Sequence, residues 1–178
     1  MNFDIERFRE LLKESNLLYQ YQEGKSLQNS NKTKYDKLHD YISILQNNIF
    51  WESRKEYQQI INQFVIERIT FDEFRSKYGN IRYSNFRTYE ICKKTIEEGE
   101  VIADSSKTSE INLDRNTRAS KFMQILSDIN SDIDLVDHDI TLAMNLKNPE
   151  LIYYAMSPEF CRLYFLVEYV PRINELCS

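Results

Sequence analysis

The sequence has little glycine, proline and alanine, and this shortage excludes several classes of protein. Among its 178 residues there are three Gly, three Pro and four Ala. So few turn-forming residues exclude a many-stranded β sandwich or barrel and any collagen-like repeat. Neither G-x-G-x-x-G nor G-K-[ST] occurs, which disfavours a Rossmann or P-loop nucleotide site.

Metal-binding and membrane-spanning patterns are also absent. The three cysteines, Cys92, Cys161 and Cys177, are far apart, there is no C-x-x-C, and only two His could join them. We therefore predict reduced thiols in a reducing compartment, without zinc or another cofactor. The first 14 residues are charged and amphipathic, unlike a signal peptide, and no apolar run has the length of a membrane span. The expected location is the cytoplasm, with no membrane partner.

Positive charge is scarce in the second part of the chain. Residues 1–100 hold 16 acidic and 16 basic side chains, whereas residues 101–178 hold 12 acidic and seven basic ones, which accounts for the net charge of −5. A negative surface repels phosphate backbones, so nucleic-acid binding is disfavoured. The same surface suits a protein partner with a basic surface.

Apolar residues recur at helical spacing through most of the chain. The pattern predicts helices at about 2–22, 35–49, 50–64, 70–78, 83–98 and 122–136, and a further helix from 157, with loops at 23–34 and 100–113. We therefore predict an all-α fold with five to seven helices. The simplest organisation is an antiparallel helical bundle at 57–178 with an additional N-terminal helical arm at 1–56.

Three local patterns predict where helices begin and end. Thr70 and Glu73 have the spacing of a capping box, and Gly79 is expected to stop the short helix that they open. Ser157 is expected to cap a helix with Pro158 in its first turn. Pro171 is expected to break or kink that helix before Cys177.

The segment from Phe122 to Leu146 combines an apolar row with unopposed acidic charge. We define the core row as the apolar residues at helical spacing, namely Phe122, Ile125, Leu126, Ile129, Ile133 and Val136. The first five are expected to be mostly buried. The segment also holds five Asp and neither Lys nor Arg. At 100° per residue, Asp128 and Asp132 fall on one flank, and Asp134 and Asp137 on the other. These carboxylates are open to three interpretations: a solvated helix face, a docking surface for a basic protein, or a metal or catalytic carboxylate site.

Aromatic residues crowd the C-terminal part of the chain. They are Tyr153, Tyr154, Phe160, Tyr164, Phe165 and Tyr169. Packing in the core is the default interpretation. A few exposed Tyr beside the acidic helix could instead anchor a partner, because Tyr is large, rather rigid and carries a polar tip.

Three segments together resemble the small colicin-D-type, self-protective immunity proteins of bacteria. Residues 64–74 (FVIERITFDEF) resemble the turn that leads into a helix of that family. Residues 122–137 (FMQILSDINSDIDLVD) resemble its acidic third helix, and residues 157–170 resemble its last helix with its cap. The resemblance covers about residues 57–176 and leaves residues 1–56 outside.

The resemblance implies a compact helical bundle that is not an enzyme and that binds a toxin nuclease domain and blocks its active site. The residues carried over as partner-binding are Asp128, Asp132, Asp134 and Asp137, which would meet the basic surface that a nuclease presents to nucleic acid. Two alternatives stay open. One is a helical adaptor or subunit of a larger assembly, which would bind through the N-terminal arm or the aromatic C-terminal helix. The other is a metal-dependent hydrolase.

Overall fold

The computed structural model describes residues 3–21, 26–99, 113–146 and 157–178, with side chains except those of Tyr21, 113–116 and 137–146. The helices are α1 (Ile5–Tyr21), α2 (Leu27–Ser30), α3 (Lys32–Glu52), α4 (Arg54–Val65), α5 (Phe71–Glu98) and α6 (Leu113–Leu146). A C-terminal helix follows, in which α7 (Pro158–Tyr164), a π-helical turn (Phe165–Tyr169) and α8 (Val170–Cys177) succeed one another. None of the residues described lies in a strand, so the all-α prediction is confirmed for them.

The bundle arrangement and the predicted domains stay predictions. The chain forms two compact units, one of residues 1–49 and 84–119 and the other of residues 50–83 and 120–178. These ranges differ from the predicted arm at 1–56 and bundle at 57–178. Within the described ranges, no helix combines the length and hydropathy needed to cross a membrane. Residues 100–112 of the predicted loop lie outside the described residues.

The first unit has a hydrophobic core built from segments that are distant in the sequence. The buried members are Phe8, Leu11, Leu12, Leu27, Leu38, Tyr41, Leu45, Tyr89 and Ile96. Arg9 donates from Nε to the carbonyl oxygen of Ile96 at 2.7 Å, and Lys34 pairs with Glu14 at 2.6 Å. The predicted loop at 23–34 is wrong in part, because it contains α2 and the start of α3. Ser26 caps α2 by accepting a bond from the backbone N–H of Asn29.

The second unit is packed around the core row of α6. The five residues predicted to be buried are buried, and so is Val136; Ile129 and Phe122 have no exposed surface. Aromatic rings surround them: Trp51 meets Phe122 edge-on at 5.8 Å between ring centroids, and Tyr57 meets Phe122 at 6.0 Å. Tyr78 donates from its hydroxyl to the backbone carbonyl oxygen of Leu126 at 2.7 Å. The row therefore fixes α6 against α4 and α5 within this unit.

The predicted capping box at the start of α5 is confirmed. The backbone N–H of Glu73 donates to the hydroxyl of Thr70 at 3.2 Å, and the N–H of Thr70 donates to the carboxylate of Glu73 at 2.8 Å. These bonds from Thr70 lower the pKa of Glu73. Ile69 and Phe74 are both buried, as the staple positions of such a box require.

The predicted helix end at Gly79 is wrong, because α5 continues through this residue to Glu98. Glycine costs about 1 kcal/mol inside a helix, and the pattern of buried residues outweighs that cost. The buried apolar residues of α5 are Phe71, Phe74, Tyr78, Tyr89 and Ile96. Their offsets of 0, 3, 7, 18 and 25 keep the helical period on both sides of Gly79.

A strained turn ends α4. Glu67 has a φ of 62°, a left-handed conformation that favours glycine. The N–H of Arg68 bonds the carbonyl oxygen of Gln63 at 2.9 Å, and the N–H of Glu67 bonds that of Phe64 at 3.1 Å, which is a Schellman motif. Glu67 also accepts a bond from Arg162 at 3.1 Å. The turn thus contributes an ion pair to the C-terminal helix.

The C-terminal helix keeps its buried side by means of the π-helical turn. Its buried residues are Cys161, Phe165, Tyr169 and Ile173, each four positions after the last. In an uninterrupted α-helix that spacing would rotate the fourth residue by about 120° from the first. A π-helical turn has more residues per turn and corrects this drift. The helix continues through Pro171 to Cys177, so the predicted break there is wrong, and the kink that the sequence offered as the alternative stays a prediction.

Candidate functional site

The carboxylates of α6 that face the C-terminal helix form the first candidate site. Asp128 accepts a bond from Nε2 of Gln124 at 2.8 Å and lies 3.7 Å from Nη2 of Arg172. Arg172 also pairs with Glu168 at 2.9 Å. We define the acidic cluster as Asp128, Asp132 and Glu168. With Arg172 among them, the three carboxylates retain a negative excess when ionised.

Asp132 is half-buried and is hydrogen-bonded to the C-terminal helix. The hydroxyl of Tyr169 donates to its Oδ2 at 2.5 Å. Partial burial raises the pKa of Asp132, the bond from Tyr169 lowers it, and the charge of Asp128 raises it further. Burial and the adjacent carboxylate raise the pKa of Tyr169 in turn. The pair therefore joins α6 to the C-terminal helix, and Asp132 has less freedom to meet a partner than a solvated carboxylate.

The other two predicted residues are placed differently. Asp134 is exposed and accepts a bond from Nδ2 of Asn130 at 3.3 Å, while Asn130 accepts from Arg82. Asp137 lies in the part of α6 whose side chains are not described. The structure thus brings Asp128 and Asp132 together and gives Asp134 a separate set of contacts. Whether any of the four binds a partner stays a prediction.

Cys161 lies close enough to Asp132 for that charge to affect its thiol, and it is poorly suited to chemistry. It is buried, and burial together with the charge of Asp132 raises its pKa to about 12. A thiol with such a pKa is protonated at neutral pH, whereas the thiolate is the reactive form. Among the residues described, no three His, Cys, Asp or Glu side chains gather where they could hold a metal ion.

The outer side of the C-terminal helix forms the second candidate site. We define the apolar stripe as Phe160, Leu163, Tyr164 and Val167, all exposed. Their offsets of 0, 3, 4 and 7 place them along one side of a helix, opposite the buried residues at 161, 165 and 169. Leu166, also exposed, lies next to the stripe. Phe160, Leu163 and Val167 are therefore apolar although more than half of their surface is exposed in the described part of the unit.

The apolar stripe and the acidic cluster are linked through the buried ring of Tyr169. Phe160 stacks on Tyr164 at 6.4 Å between ring centroids, and Tyr164 meets Tyr169 edge-on at 5.7 Å. Tyr169 in turn donates to Asp132. A partner that covers the stripe would therefore lie beside fixed carboxylates.

Sequence reasoning found the aromatic content of this helix but not the division of its faces. Phe165 and Tyr169 are buried, as the default interpretation expects, whereas Phe160 and Tyr164 are exposed. Tyr153 and Tyr154 lie outside the described residues. The spacing of residues 160, 163, 164 and 167 is the sequence pattern that indicates an exposed apolar face. It is hard to recognise because the buried residues recur every four positions, which is unusual for an α-helix.

Searches of protein-family models, curated proteins and solved structures found no match to this chain.

Proposed function

We propose that the protein is a non-enzymatic cytoplasmic binding protein whose partner is a protein with a basic surface. The resemblance to colicin-D-type immunity proteins makes a nuclease toxin domain the leading partner. The observation that carries the proposal is the acidic cluster, in which Asp128 and Glu168 pair with Arg172 and Asp132 accepts a bond from Tyr169. Asp134 adds an exposed carboxylate on the same helix.

The physical reason is the effect of fixed negative charge on association. A nuclease domain presents basic side chains to nucleic-acid phosphates, so carboxylates held in place on an inhibitor can occupy the same surface. Complementary charge raises the rate of encounter and disfavours wrong partners. The carboxylates of Asp128 and Asp132 are held by Arg172 and Tyr169, so less side-chain freedom would be lost on binding.

The four carried-over residues would contribute differently. Asp134 is exposed and Asp128 is half-buried, and we propose that these two make the direct charge contacts. Asp132 would act mainly by fixing Tyr169, because its carboxylate is already bonded and partly buried. Asp137 would extend the same charge along α6.

The test begins with an affinity pull-down that identifies the partner. The association rate constant is then measured for the wild type and for the double variant Asp128→Asn, Asp134→Asn at two ionic strengths. We expect slower association and a weaker dependence on salt, because two charges that attract the partner are gone. Arg172 keeps its pair with Glu168 in this variant, so the fold should be preserved.

A matched control removes the same net charge elsewhere. Asp36 and Asp40 are exposed Asp residues on α3, and Asp36→Asn with Asp40→Asn should leave the rate nearly unchanged. Equal effects of the two double variants would mean that only the overall charge matters, and would contradict a docking face. A pull-down that returns a large assembly without a basic partner would favour the helical adaptor. Metal-dependent activity that is lost with Asp128 and Asp134 would favour a hydrolase.

A further inference from the structure

We propose that the apolar stripe is the docking site for a basic amphipathic helix of the partner protein. The inference rests on the proposed function, because it takes the partner to be basic. It goes further by assigning the anchoring contacts to particular side chains on the outer side of the C-terminal helix. Those side chains are Phe160, Leu163, Tyr164 and Val167, with Leu166 beside them.

The outer side of the C-terminal helix exposes a large amount of apolar surface. Val167 is 75% exposed, Leu163 61% and Phe160 57%. With Tyr164 and Leu166, these side chains present on the order of 500 Å² of surface. That area matches the largest patches found on monomeric proteins, which are often functional, at roughly 300–600 Å².

The shape of the patch suits a partner helix. Its members follow one side of a helix for two turns, and Phe160 and Tyr164 are stacked with an interplanar angle of 13°. A partner helix lies well along such a ridge, because its own apolar residues at i, i+3, i+4 and i+7 form a matching row. Large aromatic and aliphatic side chains at the centre of a contact usually supply most of its binding energy.

Acidic side chains lie on both sides of the patch. Glu159 is exposed and stands one turn before Leu163, and Glu168 stands one turn after Tyr164, so each is the i,i+4 neighbour of a stripe residue. On the Tyr164 side the acidic cluster continues through Tyr169 and Asp132. Lys and Arg on both flanks of an incoming helix would meet these carboxylates.

The same charges argue against a second copy of this chain as the occupant. Two identical stripes would bury roughly 500 Å² from each copy, below the about 800 Å² per partner of a standard interface. Such a dimer would also bring carboxylates of one copy close to carboxylates of the other copy. These are Glu159, Glu168 and the remaining members of the acidic cluster. Like charges brought together in this way oppose association.

The test uses three dye-labelled synthetic peptides of 18 residues, with binding to the full chain followed by fluorescence anisotropy. One contains Leu and Lys with the leucines along one helical side. The second has the same composition with the leucines scattered around the helix. The third keeps the leucine pattern and replaces every Lys by Glu. We expect the wild type to bind the first peptide about tenfold more tightly than either of the others.

The variant is Leu163→Ser with Val167→Ser, and its matched control is Leu17→Ser with Ile91→Ser. Leu17 and Ile91 are also exposed helical residues, at 55% and 57%, and they lie outside the stripe. We expect the stripe variant to lose about tenfold or more in affinity for the first peptide, since two buried contacts disappear. The control variant should bind it as the wild type does.

The possible results separate this inference from the proposed function. Unchanged, salt-dependent binding of the first peptide by the stripe variant overturns the docking site and leaves a basic partner intact. Equal binding of the Lys and Glu peptides, lost in the stripe variant, overturns the basic partner and with it the inference. A dimer of the wild type that becomes a monomer in the stripe variant assigns the stripe to self-association. A melting temperature lowered in the stripe variant alone assigns it to packing within the chain.

Discussion

The substitution Gly79→Ala tests the unbroken course of α5 most directly. Gly79 lies inside that helix, and its φ is outside the left-handed region that glycine alone adopts easily. A methyl group added there would meet no atom within 4 Å. The substitution therefore changes the backbone entropy and the helix propensity without creating a clash.

The expected effect on the free energy of unfolding follows from these two facts. Alanine is favoured over glycine in a helix interior by about 0.8–1.0 kcal/mol. Part of this difference arises in the unfolded chain, which loses conformational freedom when glycine is replaced. We expect Gly79→Ala to stabilise the protein by about 0.5–1 kcal/mol. For a chain of this length that corresponds to a rise of about 1–4 °C in melting temperature.

The control is the same chemical change at Gly99. This residue has a φ of +78°, and an added methyl group would lie 3.9 Å from the side chain of Arg9, an ordinary contact. Its substitution should therefore act through the backbone alone and destabilise by about 1 kcal/mol. The two changes should have opposite signs.

The assay is urea unfolding followed by far-ultraviolet circular dichroism for both variants. Fluorescence of Trp51, the only tryptophan, gives a second probe for Gly79→Ala, because both residues belong to the second unit. A lower stability of Gly79→Ala would refute the reasoning. It would mean that the chain leaves the helix at Gly79, as the sequence rule for helix ends predicted.

Three further predictions concern single side chains of the second unit. Thr70→Ala should cost about 0.5–2 kcal/mol, with a larger loss at pH 7 than below pH 3, because the bonds that lower the pKa of Glu73 favour its charged form. Ile129→Ala should cost roughly 2–5 kcal/mol by leaving a cavity, whereas Leu135→Ala, on the exposed side of α6, should cost much less. The pKa of Asp132 is raised in the folded protein, so folding favours the protonated carboxyl. This stabilisation is present below about pH 4 and is lost as the pH rises through the folded-state pKa. Urea titrations of Asp132→Asn at pH 4 and pH 7 should therefore show the variant gaining stability relative to the wild type as the pH rises.

Residues whose roles depend on local spacing were predictable from the sequence. Ile129 and Phe122 belong to a row that keeps the helical period, and both are fully buried. Thr70 and Glu73 lie within four residues of one another, so their capping box needs no knowledge of the rest of the chain. Gly79 shows the limit of such rules, because its preference for a helix end is worth only about 1 kcal/mol.

Contacts between distant parts of the chain were not predictable from spacing. Tyr169 meets Asp132 across 37 positions, and Arg162 meets Glu67 across 95. The left-handed backbone of Glu67 carries no sequence signal, because glycine is the residue expected there. Which Asp carboxylates are enclosed and which are accessible depends on these contacts, so sequence alone gave all four residues the same role.

The π-helical turn allows the C-terminal helix to bury residues that recur every four positions, and the last prediction tests this role. A π-helical turn is equivalent to one extra residue in an α-helix. Deleting Val167, which is exposed, leaves the buried residues spaced by four, three and four, the period of an ordinary α-helix. Pro171 would then clash inside that helix, so the deletion is combined with Pro171→Ala. We expect this variant to fold with unchanged helical content by circular dichroism.

The control is a deletion in a helix that has no π-helical turn. Deleting exposed Ser131 from α6 should unfold the protein, because it turns Ile133 and Val136 out of the core row. Unfolding by the Val167 deletion would contradict the role assigned to the π-helical turn.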